Sequence, residues 1–238
     1  VNRARTLTIK VFADGADLEG ILALARDPMI AGFTTNPTLM HQSGVTDYEG
    51  FARKVLEHVA DRPLSLEVFA DEPKEMARQA RLLASWGDNV YVKIPVTDTT
   101  RVSCGPLIRE LSSEGLRLNV TAILSVAQVE SVAEALEPSP GAIVSVFAGR
   151  VADTGRDPIP LMQEALEVLV PNPRLELLWA SPREILNVVQ ADAIGCHIIT
   201  VTHALLAKLY GLGRELEDVS LDTVRMFHGD AARSGYIL

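Results

Sequence analysis

Cysteine is scarce in this sequence. Cys104 and Cys196 stand far apart with no C-x-x-C spacing. That pattern excludes a disulfide framework and reads as reduced, packed thiols of a cytoplasmic protein. The five histidines, His41, His58, His197, His203 and His228, fall at no metal-binding spacing, and no H-E-x-x-H occurs. No metal is therefore expected, and His197 and His203 read as structural or loop residues. No apolar run approaches the roughly 18 residues needed to cross a bilayer. The opening "VNRARTLTIKVFADG" enters an alternating strand directly and lacks the apolar core of a signal peptide. These absences predict a soluble cytoplasmic protein with no membrane partner. No Gly/Ser linker, low-complexity tract or composition break divides the chain. One domain over residues 1–238 is expected, ending in a helical tail from about 215. Positive charge is also in deficit. A formal net charge of −9 argues against non-specific nucleic-acid binding, although a local basic pocket is still allowed.

What is present is a repeating pattern. The 47% hydrophobic content is enough for a large unstapled core. Eight short β-rich runs alternate with stretches of helical periodicity: 7–13, 30–35, 64–70, 89–95, 116–122, 142–148, 175–180 and 196–201. Helical stretches such as "PKEMARQARLLASWG" and "SVAQVESVAEALE" lie between them, and "EPSPG" (137–141) and "PNPR" (171–174) read as turns before strands. Eight βα units over this length predict an α/β fold, a single (β/α)8 TIM barrel. The runner-up, an open doubly wound sheet, usually carries a Gly-rich phosphate loop after its first strand. "VFADGADLEG" has no G-x-G-x-x-G.

A barrel places its chemistry at the C-terminal ends of the strands. The unusual polar residues of this chain gather there. Asp14 follows run one, and Thr34, Thr35 and Asn36 end run two. Glu67 is late in run three, Lys93 in run four, and Asn119 and Thr121 in run five. Ser145, Phe147 and Arg150 end run six, and Ser181 and Arg183 follow run seven. Each has a plainer reading by itself. Asp14 suits a turn before Gly15, Thr35 and Asn36 suit a helix cap before Pro37, and Ser145 and Thr121 suit satisfied core hydroxyls. Glu67, between Leu66 and Val68, is harder to dismiss, because carboxylates inside apolar runs are rarely left unpaired.

Lys93 of "NVYVKIPVT" is the most unusual. A strand lysine normally points to water, but neither face of a barrel strand is open water. Turned inward near the mouth, its amine would meet a bound ligand, and an uncharged amine attacks a ketone to form a Schiff base. Burial disfavours the ammonium and a neighbouring carboxylate favours it, so the balance stays open at this stage. "ASPREIL" (180–186) predicts a helix start, with Ser181 as N-cap, Pro182 first in the helix and Glu184 closing a capping box. Arg183 there and Arg150 of the sixth loop would form a phosphate clamp.

Taken together, "GFTTNPTLM", "LEVFADE", "NVYVKIPVT", "LNVTAIL", "SVFAGRVADTG" and "WASPREI" resemble the transaldolase family, in particular the short branch that includes fructose-6-phosphate aldolase. The resemblance implies a metal-free, cofactor-free class I aldol mechanism on sugar phosphates. It implies that Lys93 forms the Schiff base, that Asp14 shuttles a proton, and that Glu67 and Thr121 hold a catalytic water. Asn36 and Ser145 would hold the dihydroxyacetone unit, with Thr35 and Asn119 beside them. Phe147 would line the pocket, and Arg150, Ser181 and Arg183 would contact phosphate. The aldolase branch resembles sequences with Gln at the Glu67 position and Tyr at the Phe147 position, so the resemblance favours transaldolase. "ADGADL" lacks the hydroxyl residue often found after the aspartate, and "LMHQSG" lacks a lysine common in that loop. Both bear on the acceptor, so a biosynthetic transaldolase with an unusual sugar acceptor stays open. Different readings of the same residues are a catalytically silent sugar-phosphate binder and a sugar-phosphate isomerase or epimerase. Short members of the family tend to form rings, which implies a homo-oligomer. Met226, Phe227, Tyr236 and Ile237 of the tail are candidates to dock on a neighbour or on their own barrel.

Overall fold

Valine, isoleucine and leucine dominate the β runs, and each run ends where polar or turn residues begin, so the strands are short. In a computed structural model, which describes residues 7–136 and 139–236, they close into a parallel barrel in sequence order. The order is β1 Lys10–Asp14, α1 Leu18–Leu24, β2 Ile30–Thr34, α2 Pro37–Gln42, α3 Tyr48–Leu56, β3 Leu64–Glu67, α4 Pro73–Ala84, β4 Val90–Pro95 and α5 Gly105–Ser113. There follow β5 Leu118–Ile123, α6 Val126–Ala135, β6 Ala142–Val146, α7 Ala148–Ala152, α8 Pro158–Leu169, β7 Leu175–Trp179, α9 Leu186–Ala193, β8 Ile198–Thr202, α10 His203–Leu209 and α11 Leu216–Ser234. The expected (β/α)8 TIM barrel is what forms. Part of the "EPSPG" turn and Ile237 lie outside the described residues.

Local chemistry starts the helices. Asp17, Asn36, Asp47 and Ser125 each accept a backbone N–H of the first turn, and Pro37, Pro73 and Pro158 stand at helix starts, where no donor is needed. One expected start fails. The helix after β7, α9, begins at Leu186, not Pro182. Ser181 has a φ of +60°, outside the extended region an N-cap occupies, so no capping box forms with Glu184. The Asn187 side chain instead accepts the N–H groups of Arg183 and Glu184.

Strand register decides which residues face the axis. Asp14 pairs with Thr34, Glu67 with Lys93, and Lys93 with Asn119. Side chains alternate along a strand, so residues two apart share a face. The lower interior is apolar, filled by Phe12, Ile143, Leu178 and Ile198. Gly32 is needed there, because a Cβ at that position would lie 2.6 Å from the Phe12 ring. Above this plug the inward positions turn polar: Ser65, Asn119, Ser145 and Thr200, then Asp14, Glu67 and Thr121. Outward residues pack beneath the helices in the main core, with Leu66, Val92, Ile94, Val120 and Val144 fully buried. Helix α11 differs from the rest, because none of its residues is buried.

Candidate active site

The inward polar residues open into a cavity of about 610 Å³ at the C-terminal end of the barrel, a volume typical of small-molecule sites. Asp14, Asn36, Glu67, Lys93, Asn119, Thr121, Ser145, Phe147, Arg150, Ser181 and Arg183 all line it. Lys93 is 7% exposed. Its Nζ donates to the Thr35 carbonyl at 2.7 Å and to Glu67 Oε2 at 3.0 Å. The Glu67 side chain keeps 19% exposure toward the cavity.

Thr35 itself is not where the sequence predicted. Its hydroxyl points away and donates to the Ser65 carbonyl, and the side chain is fully buried. Thr34 faces the cavity instead, because its register partner Asp14 points inward. Thr35 serves the site through its carbonyl only. Beneath Lys93 a short polar chain crosses the barrel. Ser145 Oγ donates to Asn119 Oδ1 at 2.6 Å, and Asn119 Nδ2 donates to Ser65 Oγ at 3.0 Å. These bonds satisfy the buried groups and fix the Asn119 amide.

Asp14 accepts a hydrogen bond from Thr34 Oγ1 at 2.7 Å, and Thr34 Oγ1 lies 2.5 Å from Thr200 Oγ1. Burial pushes the Asp14 carboxyl above the ordinary aspartate range, and Glu67 adds to that rise. Lys93, the Thr34 hydroxyl and His203 pull the other way without cancelling it. A carboxyl raised in this way is suited to taking and returning a proton. Sequence reasoning missed Thr34's bond, Thr200 and His203. The parity of β2 and β8 was the available signal for the two threonines.

The far end of the cavity is cationic but occupied from within. Arg183 forms an ion pair with Asp153, its Nε lying 3.1 Å from Oδ1. The Arg150 guanidinium carbon sits 5.5 Å from the centre of the Phe147 ring. The helix start expected to assist these arginines is absent, so the positive charge here comes from the guanidinium groups alone. Asn36 both caps α2 and lines the cavity. Ala122 is left-handed at φ +61°, at an irregularity in the β5–β6 register next to Thr121. Both it and Ser181 lie at the mouth, where strained backbone re-aims loops.

Gly149 lets the sixth and seventh loops meet. Its N–H donates to the Ala180 carbonyl, and an added Cβ would fall 1.6 Å from the Ser181 carbonyl oxygen. Gly149→Ala must therefore push one loop off the other. The expected cost is about 3 kcal/mol, a fall in Tm of roughly 6–12 °C for a chain of this size. Thermal unfolding followed by circular dichroism measures it, and an unchanged midpoint would show that the loops part freely.

A (β/α)8 barrel with a buried lysine facing two carboxylates at its C-terminal mouth defines an enzyme-like site. Over residues 11–235 the chain matches the family model described as Transaldolase/Fructose-6-phosphate aldolase. It is 33% identical over 202 residues to a "Probable transaldolase" of Dehalococcoides mccartyi, covering 84% of this chain and 90% of the relative. A "Probable transaldolase" of Herpetosiphon aurantiacus is 32% identical over 219 residues, covering 90% and 92%. The chain belongs to the transaldolase/fructose-6-phosphate aldolase family and is an enzyme of that family. Solved structures show the fold alone. A 2,3-dimethylmalate lyase superposes with TM-score 0.54 at 13% identity, covering 99% of this chain and 87% of that one. A KGPDC from Streptococcus mutans gives 0.56 at 8% identity, covering 82% and 88%. Among the described residues no helix is long and apolar enough to cross a membrane.

Proposed function

We propose that this enzyme is a transaldolase, moving a dihydroxyacetone unit from a ketose phosphate to an aldose acceptor through a Schiff base on Lys93. The observation that carries the reading is the Lys93 amine, buried at the mouth between the Thr35 carbonyl and Glu67. In this reading the uncharged amine attacks the ketose carbonyl, and loss of water gives an iminium. Asp14 takes the proton of the C4 hydroxyl as the C3–C4 bond breaks, and the bond electrons move into the iminium to form an enamine. The aldose phosphate leaves. The enamine then adds to a second aldose, whose new alkoxide takes the proton back from Asp14, and water releases the product. Glu67 and Thr121 hold the water used in dehydration and hydrolysis. Asn36, Asn119 and Ser145 bind the dihydroxyacetone hydroxyls, Phe147 walls the pocket, and Arg150, Ser181 and Arg183 receive the phosphate. No cofactor takes part.

Fructose 6-phosphate, with and without a panel of aldose acceptors, tests this. Transfer that requires an acceptor, together with a borohydride-reduced adduct on Lys93, is the expected result. Release of free dihydroxyacetone without an acceptor would make it an aldolase, and no adduct would make it a binder. Turnover of a single sugar with no acceptor and no cleavage would make it an isomerase.

The enzyme is proposed to work as a homo-oligomer in which α11 packs on a second copy. That helix buries nothing on its own barrel, and Leu216, Val224, Met226 and Phe227 are exposed along it. A family tendency toward rings supports a copy of the same chain as the occupant. Light scattering after gel filtration should give a mass several times that of the monomer, reduced by Phe227→Asp. A monomeric native protein would defeat the proposal.

A further inference from the structure

Tyr48 opens α3 behind Asp47, and it is absent from the lining of the cavity. Its ring meets Phe69 edge-on, with centroids 4.6 Å apart, and Trp86 at 6.1 Å. Its hydroxyl reaches the last residue of β3. The Glu67 N–H donates to Tyr48 Oη at 3.0 Å, and that hydroxyl lies 3.4 Å from the Glu67 carbonyl oxygen. Burial pushes the phenol well above the ordinary tyrosine range, so it stays protonated at any working pH.

The position of this contact in the sheet is what matters. Along the β2–β3 edge, the Phe33 N–H donates to the Pro63 carbonyl and the Thr35 N–H to the Ser65 carbonyl. In an evenly spaced parallel ladder the next rung runs from the Glu67 N–H to the Thr35 carbonyl. Here both ends of that rung have a side chain as partner. The Glu67 N–H goes to Tyr48, and the Thr35 carbonyl accepts Lys93 Nζ at 2.7 Å. Without the phenol, the Glu67 N–H would be a part-buried donor whose regular ladder acceptor is the Thr35 oxygen, and such donors are rarely left unpaired. Closing that rung would compete with Lys93 for the oxygen and turn the strand end that carries the Glu67 carboxylate.

We propose that Tyr48 is a positioning residue for the reaction: its hydroxyl holds the β2–β3 rung open, so that the Thr35 carbonyl is free to orient Lys93 and the Glu67 carboxylate stays aimed at it. The inference rests on the Schiff-base reading of Lys93. Tyr48 acts through Glu67 and Thr35 and touches no substrate.

Tyr48→Phe keeps the ring and its contact with Phe69 and deletes one oxygen. Transfer measured per active site, counted by borohydride trapping, is expected to fall roughly 10–100-fold in kcat, the scale of a misplaced reacting group. KM for the ketose phosphate should change less than about threefold, because Asn36, Asn119, Ser145 and the two arginines, the groups assigned to hold the sugar phosphate, are untouched. A merely structural tyrosine would lower the melting temperature and the yield of active sites while leaving kcat per site intact, and that result overturns the proposal. A second measurement needs no catalysis. Labelling of Lys93 by cyanate, read by peptide mass spectrometry, should be at least about fivefold faster in Tyr48→Phe, because the amine loses a partner. Equal labelling rates overturn the inference, whether or not the native protein is trapped by borohydride. Absence of trapping in the native protein, by contrast, defeats the Schiff-base reading itself.

Discussion

Lys93→Met should fold, bind sugar phosphate and transfer nothing. The substitution keeps an unbranched side chain of similar length on β4 and removes the amine. If the covalent bond is the route, no general acid or base left in the cavity replaces it, and the transfer rate falls by roughly 10⁴-fold or more, as when other covalent nucleophiles are deleted. The borohydride adduct disappears with it. Removing one member of a fully buried ion pair costs about 3–5 kcal/mol. Glu67 is less confined than that, with 19% of its side chain exposed to the cavity, so water takes the place of the ammonium. The melting temperature is therefore expected to drop by only a few degrees, and the ketose phosphate should still protect the variant against unfolding. Transfer at the native rate by a folded Lys93→Met protein would end the Schiff-base account.

Asp14→Asn is expected to cost activity and return stability. Burial raises the Asp14 carboxyl, so the folded protein holds its proton more tightly than the unfolded chain does. The stability contributed by that tighter binding is full below the unfolded value of about 4. It is lost as pH rises through the folded value, and at neutral pH the carboxylate is kept charged at a cost. Asparagine removes the charge and retains an oxygen to accept from Thr34. At pH 7 the variant should melt at the native temperature or roughly 2–4 °C above it. The advantage should shrink below about pH 4, where the native carboxyl is protonated in both states. Transfer should fall roughly 10²–10⁴-fold, the range for loss of a positioned acid–base group. Calorimetry at the two pH values, with an activity assay, checks both arms. A variant less stable than the native protein at pH 7 would contradict the burial argument.

Much of the site was legible in the sequence because strand periodicity and barrel topology are simple rules. Glu67, Lys93 and Thr121 fall late in their strands, and a barrel brings such positions together. Where a local signal pointed two ways, reading it without tertiary contacts failed. Thr34 and Thr35 are adjacent and chemically alike, and a one-residue shift reverses the face each presents. Pairing with β1 and β3 chose Thr34 for the cavity. Ser181 carries a good capping pattern, yet its carbonyl rests against Gly149 and the chain there is left-handed, so the helix starts later. Asp153 gave no sign that it would pair with Arg183, 30 residues away.

By itself, then, the chain's order of residues determined eight βα units, an apolar plug beneath a polar mouth, and a lysine among carboxylates. Those follow from propensity and alternation, which act over a few residues. Only the closed barrel decided which threonine faces the cavity, where the helix after β7 begins, and that Tyr48 replaces a rung of the sheet. Each of those outcomes is a contact between groups distant in sequence, and the competition for one hydrogen bond or one van der Waals gap is settled only when the strands and loops are in place.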